Sequence, residues 1–333
     1  FFSLWEEVLS GTPQGSILGP LLFIIFINDL VDSCNNASEL FLYADDAKLF
    51  RHITRKSDAD LLQKDLLDIQ LWIDKWLLKL NIKKCKVVSY GHHLDFKNDY
   101  YLQSEGSMSV LENLDYIKDL GVTFDSKLKF NYHINEKVNK SYSVLGLIYR
   151  NFKYMSSDTF VMLYKTLVRS HLEYAKCVLS LHRQMDIDKI EKVQMRATRM
   201  VQQLKNLSYE ARLRRLNLPT LKYRRLRGDM IQVYNIVSGK HTTNPTIDLK
   251  LSNISNTRGN MYKLQLSHVH YNLRKHFFSN RIVAVWNSLP NIIVNAESTN
   301  IFKNRLDRFW SDQEFKFDWL ADITGIGNRS EIN

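Results

Sequence analysis

Apolar residues alternate with polar ones, as in strands, in some segments of the chain. In other segments they recur in steps of three or four, as in helices. The run Ile17–Ile27 is the most apolar of the sequence, and it is shorter than the roughly 20 residues that a membrane-spanning helix needs. We expect a buried helix that continues to about Val31. Residues 40–50 predict a strand, a tight turn and a second strand. Residues 58–80 carry apolar side chains in steps of three or four, which predicts an amphipathic helix packed on a sheet.

Two further short elements and a long helical region follow. Residues 86–90 predict a strand, and residues 115–130 predict a hairpin with its turn at 125–127. The first 130 residues therefore favour an α+β fold. A domain boundary is expected near residue 131, followed by a helical region to 240, a polar linker at 241–260 and a tail at 261–333 with short helices. The predicted helices are 133–153, 158–181, 186–204, 219–238, 277–288 and 298–310.

Charge is concentrated in one part of the chain. The chain has 333 residues, 44% of them hydrophobic, which is enough for about two domains and excludes a disordered chain. The formal net charge is +11, and residues 137–240 hold 21 Lys and Arg against 7 Asp and Glu. This excess indicates an acidic polymer such as nucleic acid as a partner, although a solvated basic helical surface explains it as well. Three scattered cysteines indicate a reducing compartment and neither a disulfide framework nor a zinc site.

Two adjacent aspartates stand where the predicted hairpin turns. Strand residues alternate between faces, so a regular strand would send the carboxylates of Asp45 and Asp46 apart. A turn breaks that alternation and presents carboxylate oxygens, which suit Mg²⁺, at the edge of a sheet. For an isolated pair the simpler interpretation is that aspartate favours turns. The flanking sequence decides between the two.

The flanking sequence resembles that of reverse transcriptases, in four motifs that follow in the same order. Residues 41–47 (FLYADDA) resemble the catalytic hairpin, and residues 10–23 (SGTPQGSILGPLLF) resemble the motif before it. Residues 80–87 (LNIKKCKV) are similar to the next motif, and residues 120–125 (LGVTFD) to the hairpin that grips the primer. Residues 145–150 and 277–290 resemble, more loosely, the C-terminal region of LINE-type, jockey-group retrotransposons.

This resemblance implies a partial right-hand polymerase palm over residues 1–130, followed by a mostly α-helical thumb and C-terminal region. It implies RNA-directed DNA polymerase activity, with an RNA template, a DNA primer and dNTPs as partners and Mg²⁺ as cofactor in a two-metal site. An intracellular location, nuclear or cytoplasmic, follows from the family, and no membrane partner is expected. The oligomeric state stays open.

The family's functional residues transfer to matching positions of this chain. Asp45 matches the palm metal ligand, Asp46 matches its neighbour, and Lys84 matches the lysine near the departing pyrophosphate. The expected roles are catalysis for these three residues and metal binding for the two aspartates. A solvated surface remains the alternative for Lys84. Substrate binding is expected at Pro13, Gln14, Gly15, Tyr43, Leu120 and Gly121.

The basic helical region matches the thumb, which in the family lies against the template–primer duplex. Arginines on or between its predicted helices are therefore expected to contact phosphates. They are Arg196, Arg199, Arg212, Arg214, Arg215, Arg224, Arg225 and Arg227.

One departure from the family pattern concerns the first metal-binding aspartate. That residue belongs upstream of Ser10, and no aspartate precedes Asp29 in this sequence. Two-metal chemistry without this ligand should fail, so we expect a fragment that is inactive alone. A non-catalytic nucleic-acid-binding relic of such an element is the main alternative, and a group II intron maturase or a viral RNA polymerase is a weaker one.

Overall fold

Two units, Phe1–Ile117 and Lys118–Asn333, make up the computed structural model. It describes residues 15–34, 38–91, 98–104, 107–179, 181–240, 247, 249–252 and 260–326. Helices are combined with small two-stranded sheets, so the predicted α+β class agrees with the structure. The units divide at residue 117, earlier than the boundary expected near 131, and most of the expected linker 241–260 lies outside the described residues.

The first unit alternates helices with short strands. The predicted strand, turn and strand are confirmed as an antiparallel pair, β1 with β2. Only two residues of the predicted strand 86–90 pair with a neighbour, and they do so in parallel, as β3 with β6. The elements are α1 (Leu18–Ile27), a 3₁₀ turn (Asn28–Ser33), β1 (Glu39–Tyr43), β2 (Asp46–Phe50), α2 (Lys56–Lys75), a 3₁₀ turn (Ile82–Lys84), β3 (Lys86–Val87), β4 (Tyr101–Ser104), β5 (Ser107–Val110) and β6 (Glu112–Asn113).

Helix α2 confirms the predicted amphipathic helix and its packing on a sheet. Gln63 and Gln70 each exchange hydrogen bonds with the backbone of β4, for example from the Tyr101 amide to Gln63 Oε1 at 3.0 Å. The helix ends at Lys75, before the predicted Leu80, because Leu77 adopts a left-handed conformation with φ +56°. Such helix ends usually carry glycine, and leucine at this position is no signal that a helix stops.

The expected burial of the apolar run is wrong for the described residues. A helix does form at α1, but none of its residues is buried, and Ile24 and Ile25 are 60% and 65% exposed. The helix is apolar on all sides, so a neighbour on one side leaves the others uncovered. That neighbour is an aromatic cluster in which Phe26 lies edge-on to Trp72 and Trp76.

The turn of the hairpin at residues 115–130 was predicted at the wrong place. The strands are β7 (Tyr116–Asp119) and β8 (Val122–Asp125), and the chain turns between them at Leu120 and Gly121, whose φ angles are +42° and +76°. The Asp125 carboxylate instead accepts hydrogen bonds from the amides of Lys129 and Phe130, at 3.1 and 2.7 Å. Asp125 therefore ends the hairpin and leads the chain into the next helix.

The second unit is helical after β8, as predicted. Two predicted helices, 133–153 and 219–238, match α3 and α8 closely, whereas the helix at 158–181 ends at Glu173 and α7 was not predicted. The elements are α3 (Asn131–Asn151), α4 (Ser157–Leu163), a π-helical turn (Tyr164–Val168), α5 (Arg169–Glu173), α6 (Gln184–Thr198), a 3₁₀ turn (Gln202–Leu204), α7 (Tyr209–Leu216), α8 (Leu221–Val237), α9 (Asn272–Lys275), α10 (Phe278–Arg281), α11 (Val283–Asn287), α12 (Asn291–Val294), α13 (Thr299–Phe309) and a 3₁₀ turn (Glu314–Lys316).

Two hydrophobic cores lie within this unit. The first is built from α3 to α7 around the fully buried Val168, Val193 and Leu213. The second joins α8 to the C-terminal helices around Trp286 and Phe302. Helix α8 contributes to both, because Leu221 belongs to the first core and Tyr223 to the second. In the described part of the chain, no helix is long and apolar enough to span a membrane.

Candidate active site

The β1–β2 hairpin presents the paired aspartates at its tip. Tyr43 pairs with Asp46, so Ala44 and Asp45 form a two-residue turn. Ala44 has a left-handed backbone with φ +51°, a conformation that costs an L-residue roughly 1–2 kcal/mol. Asp45 and Asp46 are both exposed, and Tyr43 is 62% exposed. Both carboxylates are thus accessible to a ligand from solvent.

The base of this hairpin is held by a buried carboxylate. Asp65 of α2 is fully buried, and its Oδ2 accepts a hydrogen bond from Ser38 Oγ at 2.5 Å. Arg51 Nη1 lies 3.9 Å from the same oxygen and donates to Ser38 Oγ at 3.3 Å. Because Ser38 precedes β1 and Arg51 follows β2, one side chain fastens both ends of the hairpin to α2. Sequence reasoning missed Asp65, since nothing local links it to residues 38 and 51.

The donor atoms of the hairpin tip suit a hard divalent cation. Carboxylate oxygens are the ligands that Mg²⁺ prefers, and Asp45 and Asp46 supply them at adjacent positions. Within the described ranges, however, no group of three or more His, Cys, Asp or Glu side chains is arranged to hold a metal ion. The tip therefore offers part of a ligand set.

The loop expected beside the incoming nucleotide is only partly described. Pro13 and Gln14 lie outside the described residues. Gly15 is exposed, has φ +88°, and has nothing within 4 Å of the position a Cβ would take. Its backbone is thus open to close approach, which is the property that glycine offers at a substrate site.

The lysines of residues 83–86 have different surroundings. Lys86 Nζ lies 2.5 Å from Glu112 Oε2, on the neighbouring strand β6. Lys83 and Lys84 are exposed in the 3₁₀ turn before β3. Lys86 thus has an intramolecular partner, whereas the side chains of Lys83 and Lys84 are open to solvent.

A tyrosine from the helical region holds the turn of the β7–β8 hairpin. The Tyr174 hydroxyl donates to the Leu120 carbonyl oxygen at 2.6 Å. A Cβ on Gly121 would lie 3.2 Å from the Tyr174 ring, so the ring fills the space that a side chain would need. Lys137 Nζ in turn lies 5.2 Å from the centre of this ring. Both residues of the turn have positive φ, and Tyr174 stabilises this strained backbone.

Strand β8 is also bonded to α3. The Thr123 amide donates to His133 Nδ1 at 3.2 Å, and the Thr123 hydroxyl lies 3.4 Å from Glu136 Oε2. Glu136 also pairs with Lys118 of β7 at 2.9 Å. Burial lowers the pKa of His133, and nearby Lys137 lowers it further. A neutral imidazole can accept the Thr123 hydrogen bond, so the hairpin and α3 form one connected structure.

Four of the eight arginines expected to contact nucleic acid are buried or only partly exposed. Arg212 is buried and donates to Thr198 Oγ1 at 3.0 Å. Arg224 pairs with Glu173, and Arg227 pairs with Asp307 Oδ1 at 2.5 Å. The Arg225 guanidinium is enclosed, and burial lowers its pKa to about 10.

The other four arginines are exposed. Arg214 is paired with Glu210 at 2.8 Å, and the Arg196 guanidinium lies 5.4 Å from the centre of the Tyr142 ring. Arg199, directly after the end of α6, and Arg215, on α7, are also exposed. Of the eight arginines, the exposed ones are therefore Arg196, Arg199, Arg214 and Arg215.

Part of the chain is similar to a known protein family. Residues 6–149 match the family described as Reverse transcriptase (RNA-dependent DNA polymerase), a range that includes the aspartate hairpin, the lysine turn and the β7–β8 hairpin. No solved structure matches the chain significantly.

Several curated fruit-fly proteins are similar to the chain. A probable RNA-directed DNA polymerase from transposon BS of Drosophila melanogaster is 31% identical over 42% of the chain and 16% of its own length. The RNA-directed DNA polymerase from mobile element jockey of Drosophila funebris is 29% identical over 58% of the chain and 22% of its own length. A probable polymerase from transposon X-element is 24% identical over 59% of the chain. The matched part of the chain spans about a fifth of the length of these relatives.

Proposed function

We propose that this chain belongs to the reverse transcriptases of non-LTR retrotransposons, and that it is the part of an RNA-directed DNA polymerase that carries the second half of the palm, the thumb and a C-terminal helical module. The observation that carries the proposal is the β1–β2 hairpin, which presents Asp45 and Asp46 at an exposed turn within the matched residues. The substrates would be an RNA template, a DNA primer and dNTPs.

Asp45 is proposed as the principal metal ligand and Asp46 as its weaker neighbour. Divalent ions bound in such a site activate the primer hydroxyl and stabilise the charge that develops during phosphoryl transfer. The protein's own contribution is positional. Asp65, Ser38 and Arg51 fix the base of the hairpin, so the tip carboxylates need little reorganisation when substrate arrives.

Lys84 is proposed to lie near the departing pyrophosphate. An ammonium group there offsets negative charge or supplies a proton to the leaving group. Its exposure, and the pairing of the nearby Lys86 with Glu112, support this choice over Lys86. Gly15, with Pro13, Gln14 and Tyr43, is proposed to border the nucleotide.

Leu120 and Gly121 are proposed to support the primer. Their turn is held by Tyr174, and its second strand is bonded to α3, which would lie in the thumb. A turn fixed in this way would keep the primer end in place relative to the helices that follow. The exposed arginines Arg196, Arg199 and Arg215 are proposed to contact phosphates of the template–primer duplex.

The test needs a longer polypeptide, because a third metal-binding carboxylate is not placed beside Asp45 within the described ranges. We expect the 333-residue chain alone to give no primer extension on an RNA template with Mg²⁺ or Mn²⁺. Fused behind the upstream polymerase segment of a jockey relative, it should extend primers. Asp45→Asn in that fusion should lower the rate about a thousandfold or more, and Asp46→Asn less. A fusion in which Asp45→Asn keeps near-full activity would refute the metal-site assignment.

A second candidate function is nucleic-acid binding without catalysis. It is favoured by the incomplete carboxylate set in the described residues together with the basic helical region. A fusion that binds duplex tightly, but extends no primer under any metal condition, would support this alternative.

A further inference from the structure

One short segment of the second unit combines exposed aromatic rings with exposed cations. Residues 260–281 contain no Asp or Glu, although they include Arg274, Lys275 and several histidines. Tyr271 is 75% exposed and Phe277 is 47% exposed, whereas the adjacent Phe278 is 1% exposed. Packing therefore accounts for Phe278 and leaves the exposure of the other two rings unexplained.

A pair of stacked imidazoles extends this aromatic surface. The rings of His182 and His276 lie 4.3 Å apart at their centres, and their planes differ by 4°. Burial lowers the pKa of His276, and the charges of His182 and Lys275 lower it further. Imidazole rings are among the side chains on which unpaired nucleobases stack.

The two segments that carry these rings are fastened together. Arg281 donates to the backbone oxygens of Lys176 and Leu179, at 3.1 and 3.2 Å, and pairs with Asp229 at 3.0 Å. This side chain joins α10 to the loop that precedes His182. The surface is therefore formed before any ligand arrives, which lowers the entropic cost of binding.

The cations lie on α9, between the two exposed aromatic residues. Arg274 and Lys275 are both exposed, and neither makes an ion pair with any other described residue. Within seven residues of sequence, two cations are thus flanked by two rings. This combination is what proteins use to bind single-stranded nucleic acid, where bases stack on rings and cations meet phosphates.

We propose that Tyr271, Arg274, Lys275, His276, Phe277 and His182, named here the 271–277 surface, bind single-stranded RNA or DNA. A duplex hides its base faces in the helical stack, so exposed rings favour an unpaired strand. A membrane surface would call for a broad amphipathic helix, and α9 has only four residues. This site goes beyond the proposed polymerase and needs no catalysis to operate.

The experiment measures binding of the intact chain to a fluorescent, unstructured 20-nucleotide RNA, to the corresponding RNA–DNA duplex, and to vesicles of phosphatidylcholine with phosphatidylserine. Tyr271→Ala/Phe277→Ala should weaken RNA binding by at least about fivefold, because each lost stacking contact costs that much or more. Duplex binding should change much less. Tyr271→Phe should keep the affinity, and Tyr154→Ala, which removes a ring that is 99% exposed elsewhere, should leave it unchanged.

Charge gives an independent readout. Arg274→Ala/Lys275→Ala should flatten the log–log dependence of RNA affinity on salt by about 1.4, from roughly 0.7 for each lost phosphate contact. Lys153→Ala/Lys165→Ala, which removes two exposed lysines elsewhere in the unit, is the matched control. Equal RNA affinities for the wild type and the Tyr271→Ala/Phe277→Ala variant, both with wild-type thermal unfolding, overturn the proposal. So does a loss of vesicle binding with RNA binding intact.

Discussion

At the scale of single residues, the function of a side chain here depends on which partner the fold gives it. Lys84 and Lys86 are alike in sequence context, yet only Lys86 is paired with Glu112 in the structure. Arg224 and Arg227 look like the neighbouring basic residues in the sequence, but their ion pairs connect α8 to α5 and to α13. Asp65 is another such residue, because the fold brings its carboxylate to Ser38 and Arg51 at the base of the β1–β2 hairpin.

The first prediction concerns Asp65. Asp65→Ala leaves the Arg51 guanidinium beside an unfilled space, and removing one partner of a buried pair typically costs about 3 kcal/mol or more. We expect the free energy of unfolding of the first unit, measured in urea, to fall by about that amount. Asp60→Ala, at an exposed position of the same helix, should change it by less than about 0.5 kcal/mol. Equal effects of the two substitutions would show that Asp65 does not hold the hairpin.

At the scale of elements, two features are costly by themselves, a strained turn and a buried carboxylate. Each is stabilised by a residue that lies far away in the sequence. The β7–β8 turn places a leucine and a glycine at positive φ and holds them with the Tyr174 hydroxyl. The start of α8 lies against the buried carboxylate of Glu191, which accepts the Leu221 amide at 3.0 Å. Each feature gives a prediction.

Gly121→Ala should destabilise the second unit through two separable effects. Alanine at φ +76° costs roughly 1–2 kcal/mol of backbone strain, and its Cβ would press on the Tyr174 ring at 3.2 Å. Gly239→Ala is the matched control, because Gly239 has φ +63° and nothing within 4 Å of its Cβ position. We expect the larger loss in urea unfolding for Gly121→Ala, and in a Tyr174→Ala background the difference between the two glycines should disappear. A difference that persists there would exclude Tyr174 as the contact.

Glu191 should make the stability of the second unit depend on pH. Burial raises the pKa of Glu191 to about 7 from its ordinary 4.5, against the opposing effects of the Tyr209 hydroxyl, the Leu221 amide and the Arg225 charge. Because the folded chain holds this proton more tightly than the unfolded chain, the free energy of unfolding falls as pH rises from 4.5 to about 7. Between pH 5.5 and 8.5 the loss from this group is about 2 kcal/mol.

The comparison with Glu191→Gln isolates this contribution from other titrating groups, such as His133. Urea unfolding of both proteins at the two pH values should show the variant losing about 2 kcal/mol less than the wild type. Parallel pH profiles would mean that Glu191 is already ionised in the folded chain at pH 5.5.

At the scale of the whole molecule, the net charge is +11, and the part of it that can meet a polyanion is carried by the cations that the fold leaves exposed. Arg196→Ala/Arg199→Ala/Arg215→Ala should lower the steepness of the salt dependence of duplex affinity by about 2.7, since each phosphate contact contributes about 0.9. Arg224→Ala should instead lower the unfolding temperature, because it breaks the pair with Glu173, and leave the salt dependence of the folded protein unchanged. An unchanged slope in the triple variant would place the duplex on another surface.

The sequence by itself determined what depends on near neighbours along the chain. The strand, turn and strand around Asp45, the amphipathic α2 and the helices α3 and α8 follow from side-chain periodicity, because helices and hairpins are built from hydrogen bonds between residues close in sequence. The order of the four motifs likewise predicted, without coordinates, the similarity to reverse transcriptases that residues 6–149 show.

Tertiary structure alone decided which residues meet across long separations. It placed the turn at Leu120 and Gly121, although leucine is not a residue that predicts a turn. The strained backbone of Leu120 is stabilised by a hydrogen bond from Tyr174, which follows α5. It buried Arg212 and left Arg196 open, although both belong to the same basic stretch. The physical reason is that burial and ion pairing are properties of the packed chain, and the identity of a side chain does not fix its partner.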